Sequence, residues 1–460
     1  MGIAGAGMSG LALIARHLGV AITGCDADPS GTADLAALGV PIWRGHDPGH
    51  ADGVRAVVVT AAVSRTHPEL ERARALGIPV VRRADALGEL VAGGTLVAVA
   101  GTHGKTTTTV MVTEALTAAG RNPTGLAGGR VAAWRGNARV GDPALFVVEA
   151  DEFDRAFLAL TPTVAVVGNV EADHLECYGT VAALEDAFVE FAGRARRVIV
   201  GGDDAGAQRV ASRLRVPVWR VGTGEAADVR IRDVVHDPTG SRATVDLPKG
   251  GEGGEGGRRR SVMVQLAVPG LHNVRNAAAA IAVLLALEAD VATGAGALAS
   301  FGGVARRFER IGEAGGVTVV DDYAHHPTEV AATLAAARQA FPGRRVVAVF
   351  QPHLYSRTAL HGEALGRALA AADVVVVAPI YAAREQPMAG VTHDLVARGA
   401  MGAGAATVAV RERAGLVGDV ARAVRPGDVV FTIGAGDVTR IGAELLSLLG
   451  AGRGQREASR

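Results

Sequence analysis

The stretch Val97–Thr109, V-A-V-A-G-T-H-G-K-T-T-T-T, decides how the chain is read. An apolar β-type run ends in two glycines three residues apart, Gly101 and Gly104. Lys105 follows, then four threonines, then a helical apolar run through Val110, Met111, Val112 and Leu116. This is a strand, a tight glycine turn and a helix N-terminus, which presents backbone N–H groups and the positive end of a helix dipole to an anion. In a phosphate-binding loop of this kind Lys105 reaches the β- and γ-phosphates of a nucleotide, and the Thr106 hydroxyl faces Mg²⁺. The spacing departs from G-x-x-x-x-G-K-[ST], because Val99 stands where the first glycine belongs. A bare strand–helix turn is the plainer alternative, but such a turn has no use for a lysine followed by hydroxyls. Lysine occurs only at Lys105 and Lys249 in the 460 residues. A chain that otherwise uses arginine has still placed a lysine here, which favours a chemical role.

The bulk composition narrows the partners. The length predicts three domains at roughly 150 residues each, and 49% hydrophobic residues suffice for sizeable cores. A formal net charge of zero gives no electrostatic case for nucleic acid or an anionic membrane. Cysteine is present only at Cys25 and Cys177, so a disulfide framework is not expected and a reducing cytoplasmic setting fits. The N-terminal residues lack the basic region and cleavage site of a signal peptide. Apolar runs such as Ala277–Leu287 fall short of the roughly 20 residues a bilayer needs.

Upstream of the opening stretch, Gly2–Gly10 (G-I-A-G-A-G-M-S-G) reads as a second glycine turn before a helix, with Gly5, Gly7, Met8 and Ser9 as candidate ligand contacts. A strand over Val20–Thr23 follows, then Asp26, placed where an acid often bonds a ribose hydroxyl. A first strand is expected before the glycines, yet the sequence starts at Met1-Gly2; either it is truncated or that strand is supplied otherwise. The region continues with strand Ala56–Thr60, helix Glu69–Leu76 and strand Ile78–Val81, and Gly93-Gly94 marks a domain boundary.

Downstream, strand Leu145–Ala150 ends in Glu149-Ala150-Asp151-Glu152. Carboxylates at the C-terminal end of a buried strand are placed to hold Mg²⁺ beside phosphates. A surface turn explains Asp151 and Glu152 equally well, whereas Glu149 lies inside the strand and needs a partner. Strand Thr163–Val167 leads to Asn169-Val170-Glu171-Ala172-Asp173-His174, where His174 suits a second divalent ion. Short alternating strands follow from Val229 to Val268, with Gly250–Arg260 a flexible hairpin tip. His272 and Asn273 precede the helix Val274–Leu287 and either cap it or touch a ligand. Phe301–Arg310 reads as a linker. Beyond it four strands, Val317–Val320, Arg345–Phe350, Val374–Ala378 and Val429–Ile433, each end in polar or glycine residues, the edge where open α/β sheets bind ligands. Gly452–Arg460 reads as a disordered polar tail.

These motifs, in this order, resemble the Mur ligases. The matching segments are G-A-G-M-S-G-L-A (Gly5–Ala12), A-G-T-H-G-K-T-T-T-T (Ala100–Thr109), E-A-D-E (Glu149–Glu152), N-V-E-A-D-H (Asn169–His174), P-G-L-H-N-V-R-N-A (Pro269–Ala277), R-R-F-E (Arg306–Glu309), D-D-Y-A-H-H-P-T-E (Asp321–Glu329) and F-Q-P-H-L-Y-S-R-T (Phe350–Thr358). The last two are similar to the alanine-adding branch. The resemblance implies an α/β fold of three domains: a Rossmann-like UDP-binding domain (1–93), a central P-loop ATPase domain with an extra small β-sheet (94–305) and a C-terminal Rossmann-like amino-acid-binding domain (306–460). It implies ATP-driven amide formation between the lactyl carboxylate of UDP-N-acetylmuramate and L-alanine, in a monomer or weak homodimer.

By the same resemblance Gly101, Thr102, His103, Gly104, Lys105, Thr106, Thr107, Asn273, Arg307 and Asp322 bind ATP, and Thr106, Glu149 and His174 hold Mg²⁺. Tyr323, His325, His353 and Arg357 line the alanine site, with Arg357 on the carboxylate. Leu354 stands where related enzymes often carry a second arginine. No lysine is left over for the carbamoylated metal ligand of the later-acting members, which agrees with the alanine-adding branch. A peptide-recycling ligase and a non-catalytic nucleotide-binding regulator on the same fold are the alternatives.

Overall fold

The computed structural model describes residues 1–60, 63–248, 260–383 and 385–457, with side chains to residue 451. Lys249 and the hairpin tip up to residue 259 lie outside the described residues. The chain forms two compact units: Met1–Val234, Arg242–Leu266 and Asn273–Gly302 make the first, and Val235–Ser241, Ala267–His272 and Gly303–Arg460 the second.

The first unit opens with two parallel pairs, β1 (Gly24–Asp26) with β2 (Ile42–Arg44) and β3 (Val57–Val59) with β4 (Val80–Arg82). Residues 1–3 bridge them. The Met1 amino group donates to the Val58 carbonyl at 2.8 Å, and the Gly2 and Ile3 N–H groups share the Cys25 carbonyl at 2.9 and 3.2 Å. The strand expected at Val20–Thr23 therefore forms at Gly24–Asp26, where backbone partners are available on both sides.

Its main sheet is built from β5 (Thr95–Ala100), β6 (Pro123–Val131), β7 (Gly136–Arg139), β8 (Asp142–Glu149), β9 (Val164–Val167), β10 (Arg197–Gly201), β11 (Val218–Gly222), β12 (Val229–Asp237), β13 (Gly240–Asp246) and β14 (Ser261–Leu266). The order is β14-β13-β12-β11-β10-β9-β5-β8-β6-β7. Leu96–Ala100 is at most 2% exposed, so β5 is covered on both faces and reads as an unbroken apolar run. Its parallel neighbours pair Val99 with Glu149 and Ala100 with Val167. The C-terminal ends of β5, β8 and β9 thus converge. Strands β6 and β7 have no sequence signal of their own, because glycines dilute it. The first helix, Ala6–His17, packs on them at Gly10, where a Cβ would collide with Leu126 and stand 2.9 Å from Asn137 Nδ2.

The second unit carries β15 (Glu309–Ala314), β16 (Val317–Asp322), β17 (Val346–Phe350), β18 (Val374–Val377), β19 (Val408–Val410) and β20 (Val429–Ile433), in the order β15-β16-β20-β17-β18-β19. All pairs are parallel except β15 with β16. Val320, Ala348, Phe350 and Phe431 face one apolar layer and Val319, Val347, Val349 and Val430 the other, the period-2 alternation of a sheet covered on both sides. The expected linker Phe301–Arg310 thus runs into a strand at Glu309. The tail expected to be disordered from Gly452 continues the helix Thr439–Glu457; Gln455, Arg456 and Glu457 are good helix formers. No described helix is long and apolar enough to cross a membrane.

Candidate functional site

The glycine turn sits at the convergent strand ends. Gly104 caps the helix Lys105–Ala118 at φ 76°, and a Cβ there would lie 2.9 Å from Asn276 Oδ1. Only glycine meets both conditions without strain. Residues from the loop after β9 hold the turn. Asn169 takes the His103 N–H on its side chain at 2.7 Å and returns a bond to the His103 carbonyl at 3.1 Å. Thr102 Oγ1 accepts from the Glu171 N–H at 2.9 Å, and His103 Nε2 lies 3.2 Å from Glu171 Oε2. Thr106 and Thr107 are buried in the first helical turn, and so is Asn273 in the first turn of the helix Leu271–Ala286. Asn276, one turn beyond Asn273, brings that helix against the glycine turn.

Lys105 folds back into the turn. Its Nζ is 2.8 Å from both oxygens of Glu152 and 2.8 Å from the Gly101 carbonyl. Burial alone would lower the ammonium pKa, but Glu152, Asp151 and Glu149 outweigh it and hold it above the usual range. Glu152 is only 2% exposed, and its carbonyl accepts the Tyr178 hydroxyl. The surface-turn reading of Glu152 is therefore corrected. The available clue was the second glutamate of E-A-D-E, three residues after Glu149 and followed by apolar Phe153.

Glu149 accepts from the Gly128 N–H and the Thr106 hydroxyl, and burial raises its carboxyl above the usual range against the pull of Lys105. A half-buried carboxylate beside a threonine hydroxyl, both hard oxygen donors, fits a divalent cation. His174 stands on its own at a left-handed φ of 53°, its ring edge-on to Phe153 at 5.1 Å and its Nδ1 3.4 Å from Glu176. Among the described residues no hydrogen bond or ion pair joins it to Lys105 or Glu149.

The N-terminal turn is arranged differently. Gly5 is exposed and Gly7 half-buried, while Met8 and Ser9 face inward. Asn137 donates to the Ala6 carbonyl and lies 3.5 Å from Ser9 Oγ. Asp26, expected at a ribose, binds the turn itself: Oδ2 accepts from Ala4 N–H at 2.9 Å and Oδ1 from Asp28 N–H at 3.0 Å.

In the second unit the expected amino-acid residues come together. His325 is edge-on to Tyr323 at 5.4 Å and to His353 at 6.4 Å. His353 stacks on Tyr381 at 5.8 Å, and Arg357 Nη1 is 3.3 Å from His353 Nδ1. Arg357 lies in the first turn of the helix Tyr355–Leu369 and is 9% exposed. The guanidinium carbons of Arg306 and Arg307 lie 4.9 and 5.1 Å from the Tyr323 ring centroid. Asp322 accepts from the Phe308 and Ala324 N–H groups, both at 2.8 Å; burial lifts its pKa to about 6 against the attraction of Arg307. Tyr381, Arg306 and Glu329, which accepts from the His325 N–H at 2.9 Å, were not singled out from sequence. The only signal for them was their place at strand ends or inside the matched motifs.

Comparison with known proteins follows this geometry. Three family models match: the Mur ligase family catalytic domain over residues 1–95, the Mur ligase middle domain over 99–284 and the Mur ligase glutamate ligase domain over 306–436. The UDP-N-acetylmuramate–L-alanine ligase of Kineococcus radiotolerans is 47% identical, covering 98% of this chain and 95% of the relative. That of Cutibacterium acnes is 45% identical over 97% and 94%. The crystal structure of the UDP-N-acetylmuramate-alanine ligase of Thermotoga maritima matches with a TM-score of 0.78 at 27% identity, covering 100% of this chain and 98% of that one. A murein peptide ligase from Psychrobacter arcticus matches with a TM-score of 0.71 at 26% identity, over 98% of each chain.

Proposed function

The chain belongs to the Mur ligase family, and from that premise we propose that it is an ATP-dependent ligase joining L-alanine to the lactyl carboxylate of UDP-N-acetylmuramate. The carboxylate attacks the γ-phosphorus of ATP and ADP leaves. The alanine amine then attacks the resulting acyl phosphate, and inorganic phosphate leaves as the amide forms. The observation behind this reading is the half-buried Lys105 beside Glu149 and Thr106, at the convergent strand ends of a chain 47% identical to a relative of that activity.

Two anions, carboxylate and triphosphate, must approach each other, so the protein's task is to offset their repulsion. Lys105 leaves Glu152 for the β- and γ-phosphates, and the turn's amides take the remaining phosphate oxygens. Asn273 and the Arg307–Asp322 pair bind the nucleoside end and phosphates. Mg²⁺, held by Thr106 and Glu149 with His174 at a second ion, would supply further charge neutralisation. Arg357 binds the alanine carboxylate, with Tyr323, His325 and His353 around it. Residues 1–93 bind the UDP end, through Gly5, Gly7, Met8, Ser9 and Asp26. The setting is the cytoplasm, and the species a monomer or weak homodimer.

ATP-dependent phosphate release, measured with UDP-N-acetylmuramate and either free L-alanine or a tripeptide, tests this. Release with L-alanine is expected; its absence overturns the reading. Release only with tripeptide would favour a peptide-recycling ligase, the alternative supported by the Psychrobacter arcticus structure. Nucleotide binding with no release would favour a regulator. Arg357→Ala is expected to raise the KM for alanine by about 10–100-fold, the loss of a charge-assisted hydrogen bond of roughly 1.5–3 kcal/mol, with little change for ATP.

A further inference from the structure

Away from the nucleotide turn, three metal-ligating side chains from distant segments meet at the edge of the first unit. Cys25 is the central residue of β1, His46 follows β2, and Glu69 is in the first turn of the helix Pro68–Ala75. Cys25 Sγ lies 3.5 Å from His46 Nδ1 and 3.3 and 3.4 Å from the two Glu69 oxygens, and His46 Nδ1 lies 3.4 Å from Glu69 Oε2. A tetrahedral ion at about 2.3 Å from sulfur and about 2.0–2.1 Å from nitrogen and oxygen requires S–N and S–O separations near about 3.5 Å and N–O near about 3.3 Å. The three donors already stand at those edges.

The supports are also in place. His50 Nδ1 is 2.8 Å from Glu69 Oε1, which also accepts from the Asp47 N–H at 3.0 Å. Trp43 stacks on the His50 ring at 4.6 Å. The carboxylate is thus oriented from behind, as metal-bound carboxylates are. Cys25 and Glu69 are 3% and 2% exposed, while the His46 side chain is 30% exposed and gives an ion a way in. A small open cleft borders Cys25, His50 and Glu69 on the side away from His46.

We propose that Cys25, His46 and Glu69 form a site for a borderline-soft divalent cation such as Zn²⁺, with His50 as a positioning residue. The ion ties β1, the loop after β2 and the helix Pro68–Ala75 together as a clip. Without it, the Cys25 thiol keeps its proton, since burial and then the neighbouring carboxylate push it up to about 12, and donates to Glu69. Binding replaces that proton and releases it to solvent.

The test uses the full chain, stripped with chelator and carrying Cys177→Ser so that Cys25 is the sole thiol. One equivalent of Co²⁺ is expected to give a near-ultraviolet thiolate-to-cobalt charge-transfer band with visible bands of tetrahedral intensity, bleached by Zn²⁺. Cys25→Ser loses the ultraviolet band. His50→Ala weakens binding by about 10–100-fold, as for other outer-shell groups, and His46→Ala weakens it further. Zn²⁺ raises the thermal midpoint of the Cys177→Ser chain and leaves that of Cys177→Ser/His46→Ala unchanged. His46 is partly exposed, so its variant folds and keeps the test readable if Cys25→Ser does not. Absence of the charge-transfer band, or the same affinity in His46→Ala, overturns the proposal. None of these readouts depends on turnover.

Discussion

The glycine turn at Gly101–Lys105 and the one at Gly2–Gly10 both deliver the chain to a helix N-terminus, and each already holds a carboxylate of the protein. At the first, Glu152 grips the Lys105 ammonium; at the second, Asp26 accepts the Ala4 N–H. The difference lies in what the carboxylate holds. A lysine side chain has four rotatable bonds and can be handed to a ligand, whereas a backbone amide cannot leave its place. The first turn follows the fully covered strand β5 and is braced by Asn169 and Glu171. The second is braced from its far side by Asn137 and packed tight at Gly10. Glycine content alone therefore does not decide how a turn is braced. One turn keeps a mobile cation at its mouth, and the other ties the first helix to the main sheet.

Four substitutions sharpen or break this contrast. Lys105→Ala has the largest expected effect, a loss of turnover of about a thousandfold, the scale for removing a donor to developing charge, read by phosphate release. It leaves Glu152 buried and unpaired, with a carboxyl that burial raises in the folded state. That variant is therefore most stable below the ordinary carboxylate range and loses stability as pH rises through the raised folded value; a denaturation series across pH checks the sign. Gly10→Ala overpacks against Leu126 and is expected to cost about 1–3 kcal/mol in urea unfolding with kcat preserved. A fall in kcat without destabilisation would give the N-terminal turn the catalytic role withheld from it. Gly104→Ala at φ 76° is expected to cost about 1–2 kcal/mol and, unlike Gly10→Ala, to raise the KM for ATP. Asp26→Asn is the mildest, about 1 kcal/mol of stability. A raised KM for UDP-N-acetylmuramate at unchanged stability would show that Asp26 acts on the ligand directly rather than through the turn it braces.

Much of this was legible from residue pattern. Buried parallel strands announce themselves as unbroken Val and Ala runs, so β5, β8, β9, β16, β17, β18 and β20 could be found and their C-terminal ends searched. The Lys105–Glu149–Thr106 constellation follows from strand ends alone, since Val99 and Glu149 are register partners. What escaped is what only tertiary packing decides. Strands β6 and β7 have too many glycines for a β signal, and their identity rests on the first helix lying across them. Glu152 looked like a turn residue because nothing local says that a lysine 47 positions away will reach it. The cluster of Cys25, His46 and Glu69 joins three segments that share no motif.

The embrace of Lys105 by Glu152 has one more consequence. On the proposed reading Lys105 exchanges the Glu152 carboxylate for the phosphates, and Glu152 stays behind as a buried anion. Held 2% exposed beside the turn, that carboxylate is the group placed to retake the lysine once the phosphates leave.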